Sequence, residues 1–351
     1  MMVGERIKMA RAMAGLTMRE LASRAGVSHQ AIGKYEKGTA TPSSKVLIRL
    51  SKALNVGVEF LMRPRTVELS EIKFRKKKSG AKELAAIQAE VRDRIERYML
   101  VERLFPERKK ETLRRYELSS DEDAEVKAKQ WRRAWNLGLD PIDNLVETAE
   151  AHGIKVVILS VPEGYDGCAV WIDAEIPCLF LNQNVAECRF RLTLAHEMGH
   201  LVAKMPKGWS EKKQESAAFR LGAAFLVPDE VVFDELGHTR RTLDLAELLA
   251  LKQIYGLSVQ AWIKRARQLD VISETTEARL FRDIGRLGWR KAEPGDEPTS
   301  ERSYRFGRLL LRAVTEEYIS RERAEELGGK PLEELRAEMP GYREDAARPD
   351  H

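Results

Sequence analysis

Residues 190–202 read Phe190-Arg191-Leu192-Thr193-Leu194-Ala195-His196-Glu197-Met198-Gly199-His200-Leu201-Val202. His196 and His200 are four apart, so on a helix their imidazoles lie one turn apart on one face, where both can grip a single metal ion. Glu197 stands beside them, within reach of a water on that ion. Two histidines with a carboxylate between them form the working core of a zinc-dependent peptidase. The flanking apolar residues recur at helical spacing, which predicts one buried amphipathic helix over 185–204.

Two histidines leave a catalytic zinc site one protein ligand short. The next run, 211–228, reads as a second helix ended by Pro228, with Ala218, Leu221, Gly222 and Phe225 on one face. Glu215 is three residues before Ala218 and shares that inward face, where a carboxylate is costly unless paired or metal-bound. Glu211 is the rival, but it sits at the helix start, where acids serve the helix dipole. Glu215 is therefore the expected third ligand.

A strand-like run ending Cys178-Leu179-Phe180-Leu181-Asn182, then Arg189 to Leu201, then Glu215-x-x-Ala218 leading to Ala223-Ala224-Phe225-Leu226-Val227-Pro228, resembles the ImmA/IrrE family of metallopeptidases. The resemblance implies a gluzincin-like site with His196, His200 and Glu215 on Zn2+ and Glu197 as general base; Mn2+ is not distinguished from zinc by these residues. Members of that family cut helix-turn-helix repressors and so release stress or mobile-element genes. Leu221 departs from the Phe of many relatives, an apolar exchange that touches nothing catalytic.

The first sixty residues carry a second pattern. Thr17 precedes a helix with Glu20 three residues later, a capping box. Ala25-Gly26-Val27 turns the chain, Ser28 caps a second helix through Tyr35, and Pro42-Ser43 leads into another at 44–53. Helix, glycine turn, helix is the helix-turn-helix plan, and residues 6–62 resemble the phage-repressor-like Xre/Cro family. The charge agrees: residues 1–115 hold 27 Lys and Arg against 13 Asp and Glu, a net +14, while the chain is +5 overall, which leaves −9 for 116–351. A basic front half suits operator DNA. Ser28, His29 and Gln30, at the start of the second helix, are placed to meet base edges, Gln30 being able to pair with adenine. Lys34 and Lys37 suit phosphate. Thr17 begins the supporting helix, and Met18 replaces the Gln with which many relatives brace that helix and bind phosphate.

Between these modules, Phe74-Arg75-Lys76-Lys77-Lys78-Ser79-Gly80 reads as a charged linker with possible phosphate contact. A long helix is expected from Ala81 to Leu104 (Leu84, Ile87, Val91, Ile95, Met99), with shorter ones at 107–117 and 121–137. Trp131, Trp135 and Leu139 are expected to pack on the peptidase region. A helix is expected from Asp140-Pro141 through His152, then strands at 154–161, 167–172 and 177–182. Helices follow at 243–255, 258–269 and 275–287, with Ser258 capping the middle one, then a helical pair at 301–318 and 320–337 and a polar tail after Pro340.

The expected fold is multidomain: an all-α N-terminal helix-turn-helix domain, a long helical linker, an α+β zincin-like peptidase domain with a small sheet, and a helical C-terminal region. The expected borders are 1–62, 63–139, 140–236, 237–290 and 291–351. Cys168, Cys178 and Cys188 are scattered and read as core cysteines in a reducing compartment. No apolar stretch suits a membrane span or a leader, so a cytoplasmic protein is expected.

In the chemistry this implies, Glu197 moves the proton from water to the leaving amine. His238 and Tyr165 are candidate oxyanion donors, and Asn182 or the nearby strand edge is a candidate for binding substrate backbone. One function is a DNA-tethered protease that cuts a helix-turn-helix repressor or a toxin–antitoxin component. The other is a repressor or antitoxin whose peptidase fold acts as a sensor or interaction module. A homodimer is compatible with either.

Overall fold

The computed structural model describes residues 2–64, 67–69, 80–105, 112–296 and 301–342. In chain order the elements begin with α1 (Met2–Met13), α2 (Met18–Ala25), α3 (His29–Glu36), α4 (Ser44–Leu54), α5 (Val58–Met62) and α6 (Ala81–Glu102). Next come β1 (Tyr116–Glu117), α7 (Asp123–Ala134), α8 (Leu145–Ala151), β2 (Lys155–Leu159), β3 (Gly167–Ile172), β4 (Ile176–Asn182), α9 (Glu187–Val202), β5 (Ala203–Lys204) and α10 (Glu211–Leu226). The chain closes with α11 (Asp229–Leu236), α12 (Leu245–Tyr255), α13 (Val259–Gln268), α14 (Glu274–Arg286), α15 (Arg305–Thr315), α16 (Arg321–Gly328) and α17 (Leu332–Ala337). The fold class is as the sequence implied: a helical N-terminal region, an α+β region with small sheets, and a helical C-terminal region.

The chain divides into two compact units. One is drawn from within Met1–Glu107, Ile172–Ala174 and Leu309–His351, the other from within Arg108–Trp171 and Glu175–Arg308. In the first unit, Ile7, Leu21, Ile32, Leu50 and Leu61 are completely buried among α1–α5. The capping box forms as read: Thr17 Oγ1 accepts from Glu20 N (3.2 Å) and Thr17 N donates to the Glu20 carboxylate (2.6 Å). Gly26, at φ +62°, closes α2, a conformation that glycine adopts without steric cost.

α6 packs along α1. Its buried apolar positions include Ile87, Val91, Ile95 and Met99, but Asp93 and Glu96 are buried between them. Both acids are matched. Arg6 pairs with Glu96 (2.5 Å), and Asp93 pairs with Arg63 and Arg97. A buried acid without such partners would be strongly unfavourable.

In the second unit a three-stranded sheet runs β2-β4-β3, with β2 and β4 parallel and in register from Lys155↔Cys178 to Leu159↔Asn182. Behind it lies α9, then α10, then α7, so α10 is sandwiched between the other two. Trp131 stacks on Phe225 (3.8 Å between centroids) and Trp135 stacks on His152 (4.0 Å). Arg132 donates to Phe225 O (2.7 Å), which satisfies a carbonyl at the end of α10, and to Asp140 O (2.6 Å).

Several expected elements differ in the structure. Within 107–117, residues 107–111 lie outside the described residues, and Tyr116–Glu117 is a strand, not helix. Tyr116 pairs with Ala203 in parallel, so tertiary pairing overrides local propensity. The helix expected from Asp140 begins only at Leu145, capped by Asn144. The carbonyls of Asp140 and Ile142 are taken by Arg132 and Arg191 in place of helical partners. Leu139 is 45% exposed and does not join Trp131 and Trp135 in the core.

The last helical pair is three helices. Gly329, at φ +74°, ends α16 and Pro331 starts α17. The basic run 73–79 and the tail from 343 onward lie outside the described residues.

Candidate metal centre and nucleic-acid interface

α9 presents His196 and His200 from consecutive turns, and α10 presents Glu215 toward them. The two imidazole Nε2 atoms are 3.1 Å apart. Glu215 Oε1 lies 3.2 Å from His200 Nε2, and Oε2 lies 3.6 Å from His196 Nε2. The rings stand perpendicular, at 90°. Among the described residues this is the one group of three or more His, Cys, Asp or Glu side chains with ligand atoms close enough to hold a metal ion.

Zinc bound tetrahedrally at ordinary Zn–N and Zn–O lengths sets its ligand atoms about 3.3 Å from one another, and the three measured separations bracket that edge. The donor set therefore fits zinc. Glu197, 5% exposed, holds its Oε1 3.8 Å from His196 Nε2. Glu211, the rival, starts α10 and is exposed.

What brings the two helices together was not singled out in the sequence. A Cβ on Gly199 would sit 2.6 Å from Ala218 O. One on Gly222 would sit 2.4 Å from Ala195 O and 2.8 Å from His196 N. The signal was available as paired small residues, Ala195-x-x-x-Gly199 and Ala218-x-x-x-Gly222, four apart on each helix. Small side chains at a crossing let helix axes approach closely, and here they bring the Glu215 carboxylate within reach of the histidines.

His238 is exposed and stacks on Phe233 (4.5 Å). Tyr165 is fully buried just before β3. Asn182 is spent on bracing: its amide donates to Val161 O (3.1 Å), and its oxygen accepts from Val161 N and Asn184 N. That corrects its expected part in substrate binding. All three cysteines are buried and none forms a disulfide. Burial pushes the Cys178 thiol up to about 12, and burial with the Glu197 carboxylate nearby raises Cys168, so neither is a thiolate nucleophile.

In the first unit α3 presents an exposed face. Ser28 caps it by accepting from Ala31 N (3.1 Å). Ser28, His29, Gln30, Lys34 and Lys37 are exposed, as is Thr17 at the start of α2. Gln30 and Lys34 are four apart and share a face. Met18 is half-buried against the apolar core of this region. At its other end α3 is held by Glu36, which takes both Nε and Nη2 of Arg11 (2.5 and 2.9 Å). Arg49, not singled out in the sequence, is exposed on α4 and reaches Gly26 O in the α2–α3 turn (3.3 Å).

Comparison with known families agrees with both patterns. Residues 7–61 match the helix-turn-helix family and residues 149–267 match the IrrE N-terminal-like domain, peptidase M78. The chain carries an Xre-type helix-turn-helix domain at its N-terminal end and an IrrE/ImmA-like domain in its C-terminal part.

Over 62 residues the chain is 40% identical to the SPbeta prophage-derived HTH-type transcriptional regulator YonR of Bacillus subtilis, across 18% of this chain and 57% of that protein. Over 58 residues it is 41% identical to HTH-type transcriptional regulators of Sinorhizobium medicae and Mycobacterium tuberculosis, across 16% of this chain and 42% and 41% of those proteins. The chain spans about half the length of the curated relatives it matches. No helix among the described residues is long and apolar enough to cross a membrane.

Proposed function

We propose that this chain is a DNA-binding transcriptional regulator and zinc-dependent endopeptidase that cleaves a regulatory protein, a helix-turn-helix repressor or a toxin–antitoxin component. The observation that carries the reading is the convergence of His196, His200 and Glu215, with Glu197 alongside, in a chain that also presents an exposed recognition helix. His196, His200 and Glu215 would hold the ion. What a zinc ion supplies in such a setting is polarisation of a carbonyl and a lowered pKa for water.

The chain's own groups do the rest. Glu197 takes a proton from the attacking water and delivers it to the leaving nitrogen, so one carboxylate serves both halves of the hydrolysis. Its burial leaves that carboxylate poorly hydrated. The helix-turn-helix domain brings this chemistry to an operator: His29 and Gln30 address base edges, and Lys34, Lys37 and Arg49 address phosphate.

The test is a pair of variants in the full chain. Glu197→Gln is expected to bind zinc as the unaltered protein does and to lose cleavage by at least about a hundredfold, and it serves to trap the substrate for mass spectrometry. Glu215→Ala is expected to lose zinc, measured by metal analysis after gel filtration. Unimpaired cleavage by Glu197→Gln would refute the mechanism. Normal operator control by a chain that traps nothing would favour a sensing module.

A further inference from the structure

Five residues before His196, α9 carries Arg191, whose side chain is 7% exposed. Its Nη1 pairs with the Glu301 carboxylate, and its Nη2 donates to Ile142 O. The other Glu301 oxygen accepts from Leu145 N (2.6 Å) and Val146 N (3.2 Å), the first turn of α8. Glu301 is itself 1% exposed at the side chain. The stem of Arg191 runs beneath Gly256, where a Cβ would fall 2.7 Å from Arg191 Cδ.

The residues that follow Glu301 track α8 to its far end. Arg302 O accepts from Asn144 Nδ2 (3.2 Å), Ser303 Oγ donates to Glu150 Oε1 (3.0 Å), Arg305 Nη1 donates to Glu150 O (2.5 Å), and Arg308 pairs with Glu147 (3.3 Å). A strap of eight residues, 301–308, thus lies along α8, and its first residue is tied to α9. The strap falls outside the 149–267 stretch matched by the domain family.

We propose that Glu301 is a positioning residue for the candidate metal centre: through Arg191 it fixes α9 against α8, and so fixes the aim of His196 and His200. The inference rests on reading those histidines and Glu215 as zinc ligands. The physical argument is one of alternatives. If α9 slid or turned, either Arg191 would be left buried without its counter-charge, or Glu301 would follow it and the first N–H groups of α8 would lose their acceptor; each is costly. The α9 position that avoids both costs is the one that turns His196 and His200 toward Glu215. A ligand set needs that kind of fixed support, because small displacements of the ligands weaken a metal site.

The experiment is a double-mutant cycle on zinc affinity in the full chain, read by competition with a chromophoric chelator. Glu301→Gln and Arg191→Met are each expected to lower affinity about tenfold. The double variant is expected to bind no more weakly than the poorer single, because both changes cut one linkage. Affinities equal to the unaltered protein in both single variants would overturn the proposal, and so would losses that multiply in the double variant. If Glu301→Gln does not fold, Glu301→Asp, which keeps the charge and shortens its reach, takes its place in the cycle.

Hydrogen exchange separates this claim from the zinc reading. If the unaltered protein takes up no zinc, that reading fails, and the amides of 196–200 decide the present one. Exchange there faster by about tenfold in Glu301→Gln sustains the positioning role, and unchanged exchange ends it.

Discussion

Glu150, at the last turn of α8, is 1% exposed, and burial pushes its carboxyl up to about 7 against the pull of Ser303, Arg305 and Arg308. In the unfolded chain the same group ionises near the ordinary glutamate value of 4.5. Between those values the folded protein holds a proton that the unfolded chain has lost, so raising the pH through roughly 4.5 to 7 removes stability, up to about 3 kcal/mol from this one group. Urea midpoints of the unaltered protein and of Glu150→Gln, measured from pH 5 to 8, should diverge as pH rises, with the Gln variant gaining relative to Glu. Equal slopes would show that Glu150 is not neutral in the fold. Glu215 offers a contrast: it is 33% exposed at the side chain, and its place is set by two histidines rather than by burial. Its candidacy was legible because it stood on an apolar helix face. Glu150 and Glu301 gave no such sign, because their partners lie more than a hundred residues away in the chain.

At the scale of elements, the crossing of α9 and α10 decides whether a site exists. Gly222 meets the backbone of Ala195 and His196 at distances no Cβ tolerates. Gly to Ala inside a helix normally stabilises by about 0.5–1 kcal/mol, whereas overpacking a close contact costs about 1–3 kcal/mol. The second effect should win here because the obstacle is backbone and cannot rotate away. Gly222→Ala is therefore expected to lower the urea midpoint and to weaken zinc binding together; a stabilised variant with full zinc affinity would refute the tight crossing. The ends of α9 and α10 were readable to within two or three residues from apolar spacing and Pro228. The segment 140–144 was misread because its carbonyls are claimed by arginines from α7 and α9, and no local pattern announces that.

At the scale of the molecule, the helix-turn-helix domain does not end at α5, because α6 packs on α1. Arg6 of α1 reaches Glu96 of α6 and donates to the carbonyls of Arg63 and Pro64 (2.9 and 2.7 Å). A fragment ending at residue 62 lacks all three partners. It should melt at a lower temperature in circular dichroism than a fragment ending at 105, and the longer one should bind operator DNA more tightly at equal salt. Equal melting temperatures would show that α6 is dispensable to the domain. For the full chain, the logarithm of affinity should fall with that of salt by about 0.9 per phosphate neutralised. The contrast between the +14 of residues 1–115 and the −9 of the rest, visible in the sequence, is the source of that expectation.

The sequence by itself determined what depends on short spacing. The His196–His200 pair, the Thr17–Glu20 capping box, the Ser28 cap and the glycine turn at Gly26 each arise within four residues, where helix geometry alone fixes the outcome. Tertiary structure alone decided what depends on distant chain segments meeting. Glu301 on Arg191, Glu96 on Arg6, the backbone of α10 against Gly199, and the pairing of Tyr116 with Ala203 all join residues that no periodicity relates. The physical reason is burial: a charge or a glycine acquires its role only once water is excluded around it, and which groups exclude that water is settled by the packed fold.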